Sequence, residues 1–316
     1  MNLHENRTNF ISLVTDANHY FDIDLSFIEK DYYVTHLLKE IVTACPDTIF
    51  IGGTSLSKCH KCIQRFSEDI DITVDNGKTR PTEGQIKRFN KGVLKCCLEN
   101  TFGELLDPPL PGKPFSSGGR YHSFKIEYPT IAVRSLVENN VRVEISLFSP
   151  AYPVVMSTAS SYIADMLLQQ GKKDIVEEYG MEPFTIKTQA LERTFIDKVF
   201  AICDYQIKRE TQRNSRHLYD LYQILPRIDT GESFRELIGE IRQIRNARNK
   251  GPDAKYTAPS AMPGQSVNNL LRKIIQEETF KSDYNRITRN LLMGDDLPSY
   301  KELITVLTRI IELDVF

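Results

Sequence analysis

Read for apolar and polar alternation, the chain opens with helices, passes through a run of strands and closes with helices. Residues 5–18 and 24–44 repeat apolar side chains at helical spacing, and Leu25, Ile28, Tyr32, Leu37 and Ile41 mark the second stripe. Asp24 or Ser26 is suited to cap that second helix. The run TIFI predicts a first strand over 48–52. DIDITV predicts a second over 69–74, with Ile70, Ile72 and Val74 on one face and Asp69, Asp71 and Thr73 on the other. A helix over 82–103, strands over 122–128 and 140–148, a helix over 160–180 and a strand over 184–192 follow. From Arg193 onward the periodicity is helical, over 193–208, 214–225, 235–250, 267–280 and 299–314. Two stretches rich in proline and glycine, 107–121 and 250–266, read as loops. The pattern therefore predicts an α+β fold. A mixed sheet flanked by helices occupies residues 1–190, and a helical domain over 191–316 is expected to complete the active site.

Composition narrows the picture. The 316 residues suffice for one large or two modest domains, and 41% hydrophobic with 26% charged residues is the balance of an ordinary globular protein. A net charge of −2 excludes a global basic field, so any nucleic-acid site must be a local patch. No apolar run is long enough to span a bilayer, and MNLHENRTNF has no signal-peptide core; the expectation is a cytoplasmic protein with no membrane partner. Six cysteines include Cys59 and Cys62 in a CHKC, but no second pair completes the four ligands of a structural zinc site.

The chemistry concentrates between Ile51 and Val74. Asp69 and Asp71 point the same way from one strand, and two carboxylates that close need a cation between them. Mg²⁺ (or Mn²⁺) is the natural choice, held by carboxylates and substrate phosphates. The Gly52-Gly53 pair lets backbone N–H groups approach an anion, and Thr54 or Ser55 opening a helix adds positive potential for phosphate. Either motif alone is commonplace: a DxD is usually a solvated face and a GG a turn. Strand, GG, helix and DxD strand together describe a nucleotidyltransferase core of the DNA polymerase β type. Glu144 is the only acidic residue inside the 140–148 strand and is the candidate third metal ligand, a plain cross-strand ion-pair partner being the alternative.

GGTSLSK…RFSEDIDI resembles the AbiEii-type nucleotidyltransferases, toxins of abortive-infection and type IV toxin–antitoxin systems to which the MenT toxins are related. FIEKDYYV (27–34) upstream, and ERT…DK (192–198) and RHLYDL (216–221) downstream, extend the resemblance over roughly residues 25–225. It implies an enzyme that transfers NMP from an NTP to an acceptor, the 3′ end of tRNA, and is neutralised by a cognate antitoxin. It also implies that Lys198 contacts nucleotide phosphates, that Asp220 acts as base or orients the lysine, and that Ser67 lies in the site, as a nucleotide contact or a point of self-modification. Lys30 and Lys58 are further phosphate candidates. Arg242, Arg245 and Arg248, spaced by three on one predicted helix, form the best local patch for RNA; a solvated helix face is the ordinary alternative. A protein hydroxyl as acceptor, or a non-catalytic nucleotide-binding protein of the same fold, are the competing functions. Turnover that depends on Asp69 and Asp71 discriminates against the second.

Overall fold

A computed structural model describes residues 1–106, 116–251, 265–286, 288–293 and 297–316. Most of the predicted loops 107–121 and 250–266 therefore lies outside the described residues. The chain forms two compact units. The first comprises Met1–His60 and Ser67–Gln189; the second comprises Lys61–Phe66 and Ala190–Phe316.

The first unit holds a seven-stranded mixed sheet. Its strands are β1 (Thr48–Ile51), β2 (Asp69–Val74), β3 (Leu105–Leu106), β4 (Tyr121–Glu127), β5 (Asn140–Ser146), β6 (Val154–Ala159) and β7 (Phe184–Gln189). They lie in the order β3-β4-β5-β2-β1-β7-β6. β2 runs parallel to β5 and β1 parallel to β7, while the other neighbours are antiparallel. Helices α1 (Arg7–Phe21), α2 (Leu25–Ala44), α3 (Gly52–Lys58), α4 (Glu83–Glu99), α5 (Tyr162–Gln169) and α6 (Lys173–Glu178) accompany the sheet. Asp24 caps α2, accepting from the Ser26 N–H at 2.9 Å. Ile70 and Ile72 of β2 are fully buried in one core with Ile28, Leu37 and Ile41 of α2, which fixes the face that Asp69 and Asp71 must take.

Features of this unit depart from the sequence expectation, among them the two-residue strand β3. The helix expected over 160–180 is split into α5 and α6 at Gly171, whose φ of +75° suits glycine and ends the first helix. The sequence pattern does not predict β6. VVMSTA is short and mostly solvent-facing, so it carries little of the alternation that marks a half-buried strand.

The second unit is helical among its described residues: α7 (Leu191–Lys208), α8 (Arg216–Ile224), α9 (Glu232–Lys250), α10 (Val267–Glu277), α11 (Lys281–Arg286) and α12 (Tyr300–Leu313). Residues 61–66 belong to it through a short extended pairing. The Phe66 N–H donates to Leu291 O and the Met293 N–H to Gln64 O, both at 2.8 Å, and Arg65 bridges Leu292.

Candidate active site

Sheet register sets out the carboxylates of the first unit. Asp69 lies opposite Arg142 and Asp71 opposite Glu144 on the parallel strand β5, so all four side chains share one face. Arg142 stands between the acids, with Nε 3.8 Å from Asp69 Oδ1 and Nη1 3.8 Å from Glu144 Oε1. On the far side of β5, Lys125 is the partner of Arg142 and Ser123 of Glu144. Tyr121 also reaches this face. Its phenol hydrogen-bonds Glu144 and is pushed up to about 12, first by burial and then by the Glu144 charge.

The double glycine is explained by contact rather than by flexibility alone. Gly52 has φ +76°, and a Cβ there would fall 2.1 Å from Asp71 Oδ2. The β1–α3 turn therefore packs its bare backbone onto the second aspartate of the DxD. Thr54 and Ser55 are buried in α3. The Thr54 hydroxyl donates to Ser67 Oγ at 2.9 Å, and the Ser55 hydroxyl donates to Gly52 O at 2.9 Å. Thr54 and Ser67 are thus brought together across the two halves of the motif.

Three consecutive charged residues of α2 are buried, although charged helix side chains ordinarily face water. Glu29 is 1%, Lys30 2% and Asp31 7% exposed. Glu29 accepts from the Thr130 hydroxyl and the Ile131 N–H, both at 2.7 Å. Lys30 donates to Glu68 at 2.6 Å, one residue before the DxD, and to Glu138 O. Asp31 accepts from the Tyr162 N–H and from Lys58. Lys30 thus ties α2 to the residue before the DxD, Glu29 ties it to residues 130–131, and Asp31 ties it to α3 and the start of α5. Lys58 correspondingly departs from a phosphate-facing place: its ammonium is buried and already donates to Asp31, Thr35 and Ser160 O. Lys30 is held in the same way. Burial of an ammonium demands such partners, and these were available close by.

In the second unit Lys198 of α7 and Asp220 of α8 meet, with Lys198 Nζ 2.6 Å from Asp220 Oδ2. Arg65 joins them through a two-pronged contact, Nε to Oδ1 at 2.7 Å and Nη2 to Oδ2 at 2.8 Å. Asp220 is fully buried; the arginine and lysine charges hold it ionised well below the usual carboxylate range, against the burial that would raise it. Lys198 is lowered, chiefly by burial; Asp220 opposes this and Arg65 adds to it. Arg65 was missed in the sequence because it lies 155 positions from Asp220, although its place two residues before Ser67 is a signal. The arginine row of α9 is not a single face. Arg242 is exposed, whereas Arg245 turns inward to Asp204 at 2.7 Å and stacks on the Phe200 ring at 4.6 Å. A spacing of three advances each residue by 300°, so the row drifts around the helix.

Carboxylate oxygens are the hard donors that a divalent cation takes, and Asp69, Asp71 and Glu144 offer them from one face of two paired strands. The donor set fits such an ion by type, and the three carboxylates share a strand face. Among the described residues no three His, Cys, Asp or Glu side chains already converge on one point, and Cys59 and Cys62 form no disulfide.

A mixed α+β sheet with a glycine turn seated on a DxD strand, and an acid in register on the next strand, is the arrangement of a nucleotidyltransferase. The profile of the family described as nucleotidyl transferase AbiEii toxin, type IV TA system, matches residues 36–306. The chain belongs to that family. Its fold is similar to that of MenT4, a nucleotidyltransferase toxin from Mycobacterium tuberculosis H37Rv, with a TM-score of 0.59 at 17% identity over 96% of this chain and 88% of that one. No curated protein matches the chain. Among the described residues no helix is long and apolar enough to cross a membrane.

Proposed function

We propose that this protein transfers NMP from an NTP to the 3′ end of tRNA in a Mg²⁺-dependent reaction, and that this transfer makes it the toxin of a toxin–antitoxin pair. The observation that carries the reading is the register of Asp71 with Glu144, with Asp71 pressed onto the bare backbone of Gly52. Asp69, Asp71 and Glu144 are the residues that would hold Mg²⁺, which supplies Lewis-acid stabilisation of the triphosphate and lowers the pKa of the attacking hydroxyl. The backbone of Gly52 and Gly53 and the hydroxyl of Ser67 line the nucleotide, while Thr54 and Ser55, both buried, hold Ser67 and Gly52 from within. The Thr54–Ser67 hydrogen bond holds the two hydroxyls in one geometry. In the second unit Asp220 positions the Lys198 ammonium through the 2.6 Å contact, the lysine that the family resemblance assigns to phosphate. Arg242, exposed on α9, is the member of the arginine row that this reading gives to an RNA acceptor. A cognate antitoxin is the expected protein partner.

The test is incubation of the purified protein with Mg²⁺, total tRNA and each of the four labelled NTPs in turn, with Asp69→Ala alongside. Label on RNA with one NTP, lost in Asp69→Ala, is expected. Label on protein alone, or transfer unchanged in Asp69→Ala, overturns the assignment. Growth arrest on expression, relieved by Asp69→Ala, is the cellular counterpart.

A further inference from the structure

Arg142 is the residue of the carboxylate face that a metal site does not call for. Its guanidinium lies 3.8 Å from an oxygen of Asp69 and 3.8 Å from an oxygen of Glu144, so it stands against two of the three acids. A guanidinium and a divalent cation drawn to the same oxygens repel each other, and only one can be fully satisfied there. The arginine is not locked in place. Its side chain is 32% exposed, its two carboxylate contacts are long, and its cross-strand neighbour on β4 is another cation, Lys125. The face thus presents two rows side by side: Lys125, Arg142 and Asp69, then Ser123, Glu144 and Asp71. One row is rich in cation and the other in carboxylate. A metal-bound triphosphate carries the complementary pattern, cation beside anionic oxygen.

We propose that Arg142 is a substrate-positioning residue that exchanges partners. It competes with the divalent cation for Asp69 and Glu144 and, once the cation is seated, turns its guanidinium to the phosphates of the metal–nucleotide complex. The planar fork of arginine suits both partners, since carboxylate and phosphate offer the same paired oxygens. The protein thereby disfavours the bare metal and favours the metal delivered with its nucleotide. The inference rests on the nucleotidyltransferase reading and adds to it a coupling between metal and nucleotide.

The probe is Mn²⁺ alone, titrated into the nucleotide-free full chain and followed by the loss of the free-ion electron paramagnetic resonance signal. The variants are Arg142→Ala, Arg142→Lys, Asp69→Asn and Lys87→Ala, the last an exposed helix lysine that controls for net charge. Arg142→Ala is expected to bind Mn²⁺ about fivefold or more tighter than wild type, the order expected for removing a half-exposed like charge at contact distance. Arg142→Lys is expected to fall between, and Lys87→Ala to match wild type. In the presence of saturating Mn²⁺, Arg142→Ala should raise the KM for NTP about tenfold with a smaller effect on kcat. A merely structural arginine would not tighten metal binding on removal, so unchanged or weaker Mn²⁺ binding in Arg142→Ala overturns the proposal. Tighter binding with an unchanged KM for NTP overturns the exchange. Failure of the underlying reading has a different signature: Asp69→Asn would then bind Mn²⁺ as wild type does.

Discussion

Replacing Gly52 by alanine tests the contact on which the site is built. Two costs follow from the geometry. An L-residue at φ +76° incurs about 1–2 kcal/mol of backbone strain. The new methyl would also meet Asp71 Oδ2 at 2.1 Å, Cγ at 2.8 Å and Cβ at 2.9 Å, so the carboxylate must move by on the order of 1 Å to restore van der Waals contact. A displacement of that size at reacting groups costs about 100-fold in rate. Gly77 separates the two effects, because it has φ +58° and nothing within 4 Å of an added Cβ. Gly77→Ala therefore carries the strain without the collision. Thermal unfolding should show both variants losing a few degrees, at about 2–4 °C per kcal/mol for a chain of this order. Labelled-NTP transfer to tRNA should fall about 100-fold or more in Gly52→Ala and stay within about twofold in Gly77→Ala, since only the first moves a reacting group. Equal transfer by the two variants would refute the reasoning, because Asp71 would then not depend on the glycine backbone.

Asp220→Asn leaves the buried charges of Arg65 and Lys198 without their carboxylate, and chemical denaturation should show about 3–5 kcal/mol of lost stability. His4 and His122 are both lowered to about 4 by burial, so the unfolded chain takes up protons near pH 6.5 that the folded chain refuses. Stability should then be level above about pH 6.5 and fall as the pH drops towards 4, with a shallower fall in His122→Gln, measured by urea midpoints across that range. Arg245→Ala, which loses the Asp204 ion pair and the Phe200 stack, should destabilise the protein by about 1–3 kcal/mol. Arg242→Ala should leave stability within about 0.5 kcal/mol and instead weaken tRNA binding and flatten its salt dependence.

What could be read in advance was local. The DxD strand announces itself by strict alternation, because Ile70 and Ile72 must be buried together and Asp69 and Asp71 must then face away. The α+β organisation followed from where period two gives way to period 3.6. What could not be read was pairing across the chain. Glu29, Lys30 and Asp31 look like a solvated helix face, since a charge and its partner 38 or 101 positions away leave no periodic trace. Arg65 was passed over for the same reason. Alternation puts Arg142 on the strand face of Glu144, but its closeness to Asp69 depends on which strand pairs with β5, and that is set by the whole sheet. The arginine row of α9 drifts around the helix because a spacing of three only approximates one side of it.

The short pairing of Gln64–Phe66 with Leu291–Met293 has a consequence for synthesis. These partners are separated by more than two hundred positions, so the earlier segment leaves the ribosome long before the later one exists. The DxD begins three residues after Phe66. Until the chain has been translated past Met293, the stretch leading into the aspartates lacks the segment it pairs with in the finished molecule. A nascent chain still on the ribosome, among the cell's own tRNAs, therefore carries its aspartates well before it carries the anchor just ahead of them.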